Sequence, residues 1–197
     1  MKRNFFLIDL RGKSWNVYRV SHLLNFEYQK PKSFSRYGRI LSRYLVDSFT
    51  EAVVLKASFS LLPNLKEFQG GDPPVQIKIE DVQLDQPRLV YEGVLLSAYN
   101  SSGRKLDGLV HLPVLLARGT TSVRDKVHGC LAKLFSSAVV EVTFPCEDML
   151  WMIAAWTGYI NETRMSKEVT FVYQVPHTKD SITCQYSVDF VKRLWGW

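Results

Sequence analysis

No stretch of this 197-residue sequence is apolar for long enough to cross a bilayer as a helix. The longest runs, residues 109–117 and 149–156, fall well short of the ~20 residues such a span needs, and polar or charged residues bound both. The chain opens with Lys2 and Arg3 as a signal peptide would, but Asp9 and Arg11 interrupt the apolar stretch and no small-residue cleavage site follows, so a strand is expected there instead. Cysteine is scarce: Cys130, Cys146 and Cys184 are an odd number at wide spacing, outside any CxxC or histidine-paired pattern, which points to reduced intracellular thiols rather than a disulfide framework. Two glycosylation-type triplets, at Asn100 and Asn161, are read as polar surface turns.

The residue patterns of catalysis are missing too. His22, His111, His128 and His177 lie far apart, none four residues from another as a helical zinc motif would have them. His128 stands near Cys130, yet positions so close on a helix point in different directions, so a core-edge or solvated histidine is expected. Neither a nucleophile elbow nor a phosphate-binding glycine loop occurs. The carboxylate pairs Glu80-Asp81 and Glu147-Asp148 suit turns and helix starts better than acid–base chemistry. No enzyme, cofactor, metal or small-molecule substrate is expected.

What the sequence does hold is a core and an uneven charge. Hydrophobic residues make up 46% and aromatic ones 13%, enough to build one large domain or two small ones. The net charge of +6 is concentrated at the start: residues 1–50 carry ten Lys and Arg against Asp9, Glu27 and Asp47, while the rest carries fifteen against sixteen acids. An acidic partner, nucleic acid or protein, would explain that asymmetry, and so would an ordinary solvated surface.

Period and punctuation divide the chain further. After the break at Lys30-Pro31, Ser33 is a candidate helix cap, and Tyr37, Ile40, Leu41, Tyr44 and Leu45 recur at helical spacing. Strands are expected over 52–62, 75–84 and 88–99, separated by the Gly70-Gly71-Asp72-Pro73-Pro74 turn and the polar loop after Tyr99. A second helix over about 122–136, capped by Thr121 or Ser122, precedes a strand over 138–144 that Pro145 ends. The helix over 148–157 is apolar nearly all round, with Gly158 as its stop, and should therefore be a core element. Strands over 168–175 and 182–188 and a short helix over 189–195 finish the chain. Grouped strands with inserted helices give an α+β fold: largely antiparallel sheets with three to four helices packed on them, in a single domain over 1–197 or two lobes meeting near 100–108.

On the first helix Lys32, Arg36, Arg39 and Arg43 share one face, Lys32 joining if the helix begins early enough. Such a stripe is a platform for phosphates, and Lys2, Arg3, Arg11, Lys13 and Arg19 would enlarge it if the first strand packs alongside. The plainer reading is a solvated face. Trp151 and Trp156 lie in the apolar helix and are expected in the core, whereas Trp195 and Trp197, beside Lys192 and Arg193, are candidates for contact with a partner as much as for packing.

Six short stretches occur in an order that resembles one known family. They are Trp15-x-x-Tyr18-x-x-x-x-Leu23, Phe59-Ser60-x-Leu62, Leu112-Pro113-x-x-Leu116-Ala117-x-Gly119, Trp151-Met152-x-Ala154-x-Trp156-Thr157, Phe171-x-x-x-Val175-Pro176 and Leu194-Trp195. Together they span about residues 13–195 and resemble the centromere protein L family of the inner kinetochore. The resemblance implies a nuclear, non-enzymatic subunit of the constitutive centromere-associated network that pairs with centromere protein N. It also implies a basic vault, built by that pair, that accepts DNA beside the centromeric nucleosome, supporting chromosome segregation. The family's polar N-terminal extension and its C-terminal pairing region have no counterpart in the sequence, which therefore resembles a shortened form. A basic α+β nucleic-acid-binding module outside the kinetochore is the alternative.

Overall fold

The computed structural model describes residues 10, 13–28, 30–49, 54–62, 72–83, 86–97, 108–159, 168–175 and 178–196, with side chains left out at 31, 156–159 and 173. The chain divides into two compact units, residues 1–142 and 143–197.

The first unit is a six-stranded antiparallel sheet with two helices on one face. Its elements are β1 (Asn16–Val20), the short β2 (Leu23–Leu24), α1 (Pro31–Ser48), β3 (Leu55–Leu61), β4 (Val75–Asp81), β5 (Arg88–Leu96), the short β6 (Leu109–Val110), β7 (Val114–Gly119), α2 (Thr121–Phe135) and β8 (Val139–Glu141). The strand order is β3-β4-β5-β7-β1-β8, and β2 pairs with β6 apart from it. Side chains of a strand point alternately to its two faces. Hence Phe59, Val75, Ile77, Ile79, Tyr91, Leu95, Leu115, Ala117 and Tyr18 turn one way and are buried with Tyr37, Leu41 and Leu45 of α1 and Val127, Leu131 and Phe135 of α2. On the other face a smaller cluster gathers Leu62, Val94, Leu96, Leu116 and Trp15.

The cap expected at Ser33 is not there. Pro31 occupies the first turn, where its fixed φ suits the helix and its missing N–H costs nothing, so α1 starts earlier, with Lys30 at the cap and no side-chain bond to it. Ser33 is buried and its hydroxyl donates to Glu27 Oε2 at 2.9 Å. The early start brings Lys32 into the helix. Similarly α2 is preceded by Thr120 as its cap.

The helix α1 also lies against the outer edge of β3. Ala57 N–H, on the side away from β4, donates to Ser42 Oγ at 2.7 Å. Gly38 approaches the same peptide so closely that a Cβ there would stand 2.8 Å from Ala57 O.

The second unit comprises α3 (Cys146–Tyr159), the antiparallel hairpin of β9 (Glu168–Gln174) and β10 (Ser181–Ser187), and α4 (Val188–Trp195). The hydroxyl of Ser187 accepts from Phe190 N–H and caps α4. Its core is small: Val169, Val188 and Val191, with Ile153, Phe171 and Trp195 against them. The apolar helix α3 is therefore no core element. Trp151 is 69% exposed, Met149, Leu150 and Met152 are exposed with it, and Ala154 is buried. A helix apolar all round needs cover on every side, and a two-stranded hairpin with one short helix supplies only part of it. α3 also runs through Gly158 to Tyr159 rather than stopping there.

The strand expected over the first nine residues lies outside the described residues. Four strands were not anticipated, β1, β2, β6 and β7, and of these β7 and β1 lie inside the sheet between β5 and β8.

Candidate nucleic-acid interface

A helix turns ~100° per residue, so Lys32, Arg36, Arg39 and Arg43 fall within about 60° of one another. The buried positions Tyr37, Leu41 and Leu45 define the opposite side, and all four cations are exposed. One of them meets an acid: Arg43 Nε stands 4.0 Å from Asp47 Oδ2, both side chains largely in solvent, where such a pair contributes little. Arg36 spreads its guanidinium 5.3 Å from the centroid of the Tyr37 ring. At the N-terminal end of the stripe the Glu27 carboxylate accepts from Lys30 Nζ at 3.0 Å and from Ser33. Those hydrogen bonds, then the charge of Lys30 and more remotely that of Arg36, hold the Glu27 carboxyl below its ordinary range.

The second helix adds positive charge beside the first. Lys126 Nζ donates to Ser48 O near the end of α1 and lies 4.7 Å from the Phe49 ring. Further along α2, Lys133 sits 5.3 Å above the Tyr44 ring, and Phe135 meets Tyr37 edge-on at 5.0 Å. These contacts run α2 antiparallel to α1. The two helices hold Lys32, Arg36, Arg39, Arg43, Arg124, Lys126 and Lys133 against Asp47 and Asp125.

Of the cations expected from the N-terminal segment, the two that are described, Lys13 and Arg19, do not join this surface. Lys2, Arg3 and Arg11 lie outside the described residues, and Lys13 and Arg19 belong to the other face of the sheet. Arg19 alternates with the buried Tyr18 and Val20, and Lys13 Nζ stands 3.7 Å from Glu92 Oε2. Glu92, 2% exposed, is satisfied there by Arg118 at 2.7 Å and by Gln76 Nε2 at 2.8 Å.

His128 and Cys130 make no dyad. The imidazole is buried edge-on to Tyr18 at 4.4 Å, its Nε2 3.4 Å from the Tyr91 hydroxyl, and burial pushes its pKa down to about 4. Burial moves the Cys130 thiol the opposite way, up to about 11. A neutral imidazole and an inert thiol are core groups. Among the described residues no three His, Cys, Asp or Glu side chains gather as a metal site would need.

Of the candidate contact tryptophans, Trp195 packs partly buried on Val191 and its neighbours, 5.9 Å from the ring of the exposed Trp151. Trp197 and the side chain of Trp156 lie outside the described residues. The sequence pattern gave no sign of Lys133, Gly129 and Tyr44 as neighbours, because their proximity arises from the packing of two helices well separated in the chain.

Compared with known proteins, the chain matches the family model described as Centromere protein L over residues 9–196. It is similar to the Centromere protein L of Xenopus tropicalis (26% identical, covering 95% of this chain and 58% of that protein), of Rattus norvegicus (24%, 94% and 58%) and of Mus musculus (22%, 94% and 60%). The chain thus spans a little under three fifths to three fifths of the length of these relatives.

Proposed function

The chain belongs to the centromere protein L family, and from that premise we propose that it is a structural subunit of the inner kinetochore, not an enzyme, that pairs with centromere protein N and helps hold DNA near the centromeric nucleosome. As a family member it is a centromere protein, a component of chromosomes in the nucleus. The observation that carries the DNA reading is the α1 stripe: Lys32, Arg36, Arg39 and Arg43 stand opposite the buried face, with Asp47 as the one carboxylate in the helix. Cations so arranged release counterions on meeting phosphates, and none of the four is fixed to read a base edge, so the contact is to the backbone.

Pairing is supported by the second unit, whose apolar residues Trp151 and Leu194 are 69% and 68% exposed. In this reading Trp195 and Trp197 belong to that partner-contact surface, and other subunits of the constitutive centromere-associated network assemble around the pair.

The test of the DNA reading is duplex titration over a range of salt. Changing Lys32, Arg36, Arg39 and Arg43 together to Glu should lower the slope of log K against log salt by up to about 3.6, four phosphates at ~0.9 each. An unchanged slope and affinity would sink it.

A further inference from the structure

The groove between α1 and α2 has a feature that the stripe does not explain. Gly129 stands in the middle of α2, where glycine is among the least favourable helix residues. Nothing in the fold requires it: its φ is not of the left-handed kind, and among the described residues an added Cβ would meet one atom within 4 Å, the Tyr44 hydroxyl, at the ordinary contact distance of 3.6 Å. An alanine would fit and would favour the helix. That Tyr44 hydroxyl has no hydrogen-bond partner among the described residues, although the ring is partly buried. Lys133 stands over the same ring at 5.3 Å with no carboxylate of the described residues paired to it, and Arg36 and Arg43 belong to the exposed face of the same helix as Tyr44. Room for close approach, a free donor and a cation over the same ring, beside the α1 stripe, suit a narrow polyanion.

From these observations we infer that the α1/α2 groove takes a sugar–phosphate backbone, Lys133 Nζ and the Tyr44 hydroxyl contacting phosphate oxygens while Gly129 leaves room for the close approach. This rests on the DNA reading above and extends it from one helix to a cleft between two. Lys126 takes no part, since its ammonium is turned to the end of α1.

The full chain carries the test, with a short mixed-sequence duplex as probe at several salt concentrations. Lys133→Gln should lower the salt slope by ~0.9, the share of one phosphate, whereas Lys56→Gln, the same loss of charge on the sheet face away from the helices, should leave it unchanged. Tyr44→Phe should weaken binding on the order of threefold to tenfold without changing the slope, as loss of a single hydrogen bond does. Gly129→Ala should raise the melting temperature by ~2–4 °C, and Gly129→Leu, which fills the cleft, should weaken duplex binding on the order of tenfold in a folded protein.

Wild-type affinity and slope in Lys133→Gln and Gly129→Leu overturn the groove. If charge reversal of the α1 stripe still weakens binding, the groove alone has failed, and if it does not, the DNA reading falls with it. A polyglutamate peptide held by the wild type and lost by both groove variants, with duplex binding intact, also overturns the proposal, in favour of an acidic protein segment.

Discussion

The imidazole of His128 is 8% exposed and flanked by Tyr18 and Tyr91, and burial outweighs the opposing charge of Asp125 in setting its pKa at about 4, against an ordinary 6.5. Between those two values the unfolded chain takes up the proton and the folded one does not. The contribution is therefore complete above pH 6.5 and is lost as pH falls toward 4. From pH 7 to pH 5 the wild type should lose about 2 kcal/mol more stability than His128→Gln, read from urea midpoints. Parallel losses in the two proteins would show that the imidazole carries no such burden. At this scale the sequence told much about the cations and little about their surroundings. Lys32, Arg36, Arg39 and Arg43 share a face by helical period alone, so they were legible. The partnership of Lys133 with Tyr44, and the space over Gly129, depend on how two helices meet, which no local pattern encodes.

For the elements, two mid-helix glycines behave in opposite ways. A Cβ at Gly129 would meet only the Tyr44 hydroxyl among the described residues, at an ordinary contact distance, while the Cβ of an alanine at Gly38 would stand 2.8 Å from Ala57 O, a backbone atom that cannot swing aside. Gly38→Ala should therefore destabilise the protein by ~1–3 kcal/mol, the range for overpacking, despite a helix-propensity gain of up to ~1 kcal/mol. A stability equal to or above wild type in thermal melts would mean that α1 rides higher on β3 than described. Most strands and all four helices were legible from period and punctuation, within a few residues at their ends. β7 was not, because an inner strand of the sheet gives a continuous apolar run instead of alternation, and Pro113 stands just before it. α3 failed differently: its composition is that of a buried helix, and composition does not say whether enough neighbours exist to bury it.

Across the whole molecule, the two units differ in how much they bury. The first has helices on one sheet face and a Trp15-centred cluster on the other. The second closes three valines and leaves Trp151 and Leu194 in solvent. Trp151→Ala and Leu194→Ala remove no buried contact of size, so each should change stability by no more than about 0.5 kcal/mol. If the second unit is the pairing surface, the double variant should nevertheless lose centromere protein N in co-expression and size-exclusion chromatography. Retention of a one-to-one complex would direct the search for the interface elsewhere. The α+β class followed from the grouping of strands and helices, but the thinness of this second core did not, since it depends on which elements meet.

The β3 edge has a further consequence. Ser42 and Gly38 use the inward side of α1 to close off the peptide at Ala57, while Arg39 and Arg43, one residue along from each, point outward. One rod is both stopper and contact rail, so a lesion that loosens it would uncork a sticky strand and scatter the positive row together. In a screen, such a lesion would look like two unrelated defects, self-association and lost grip on a polyanion, with a single mechanical cause.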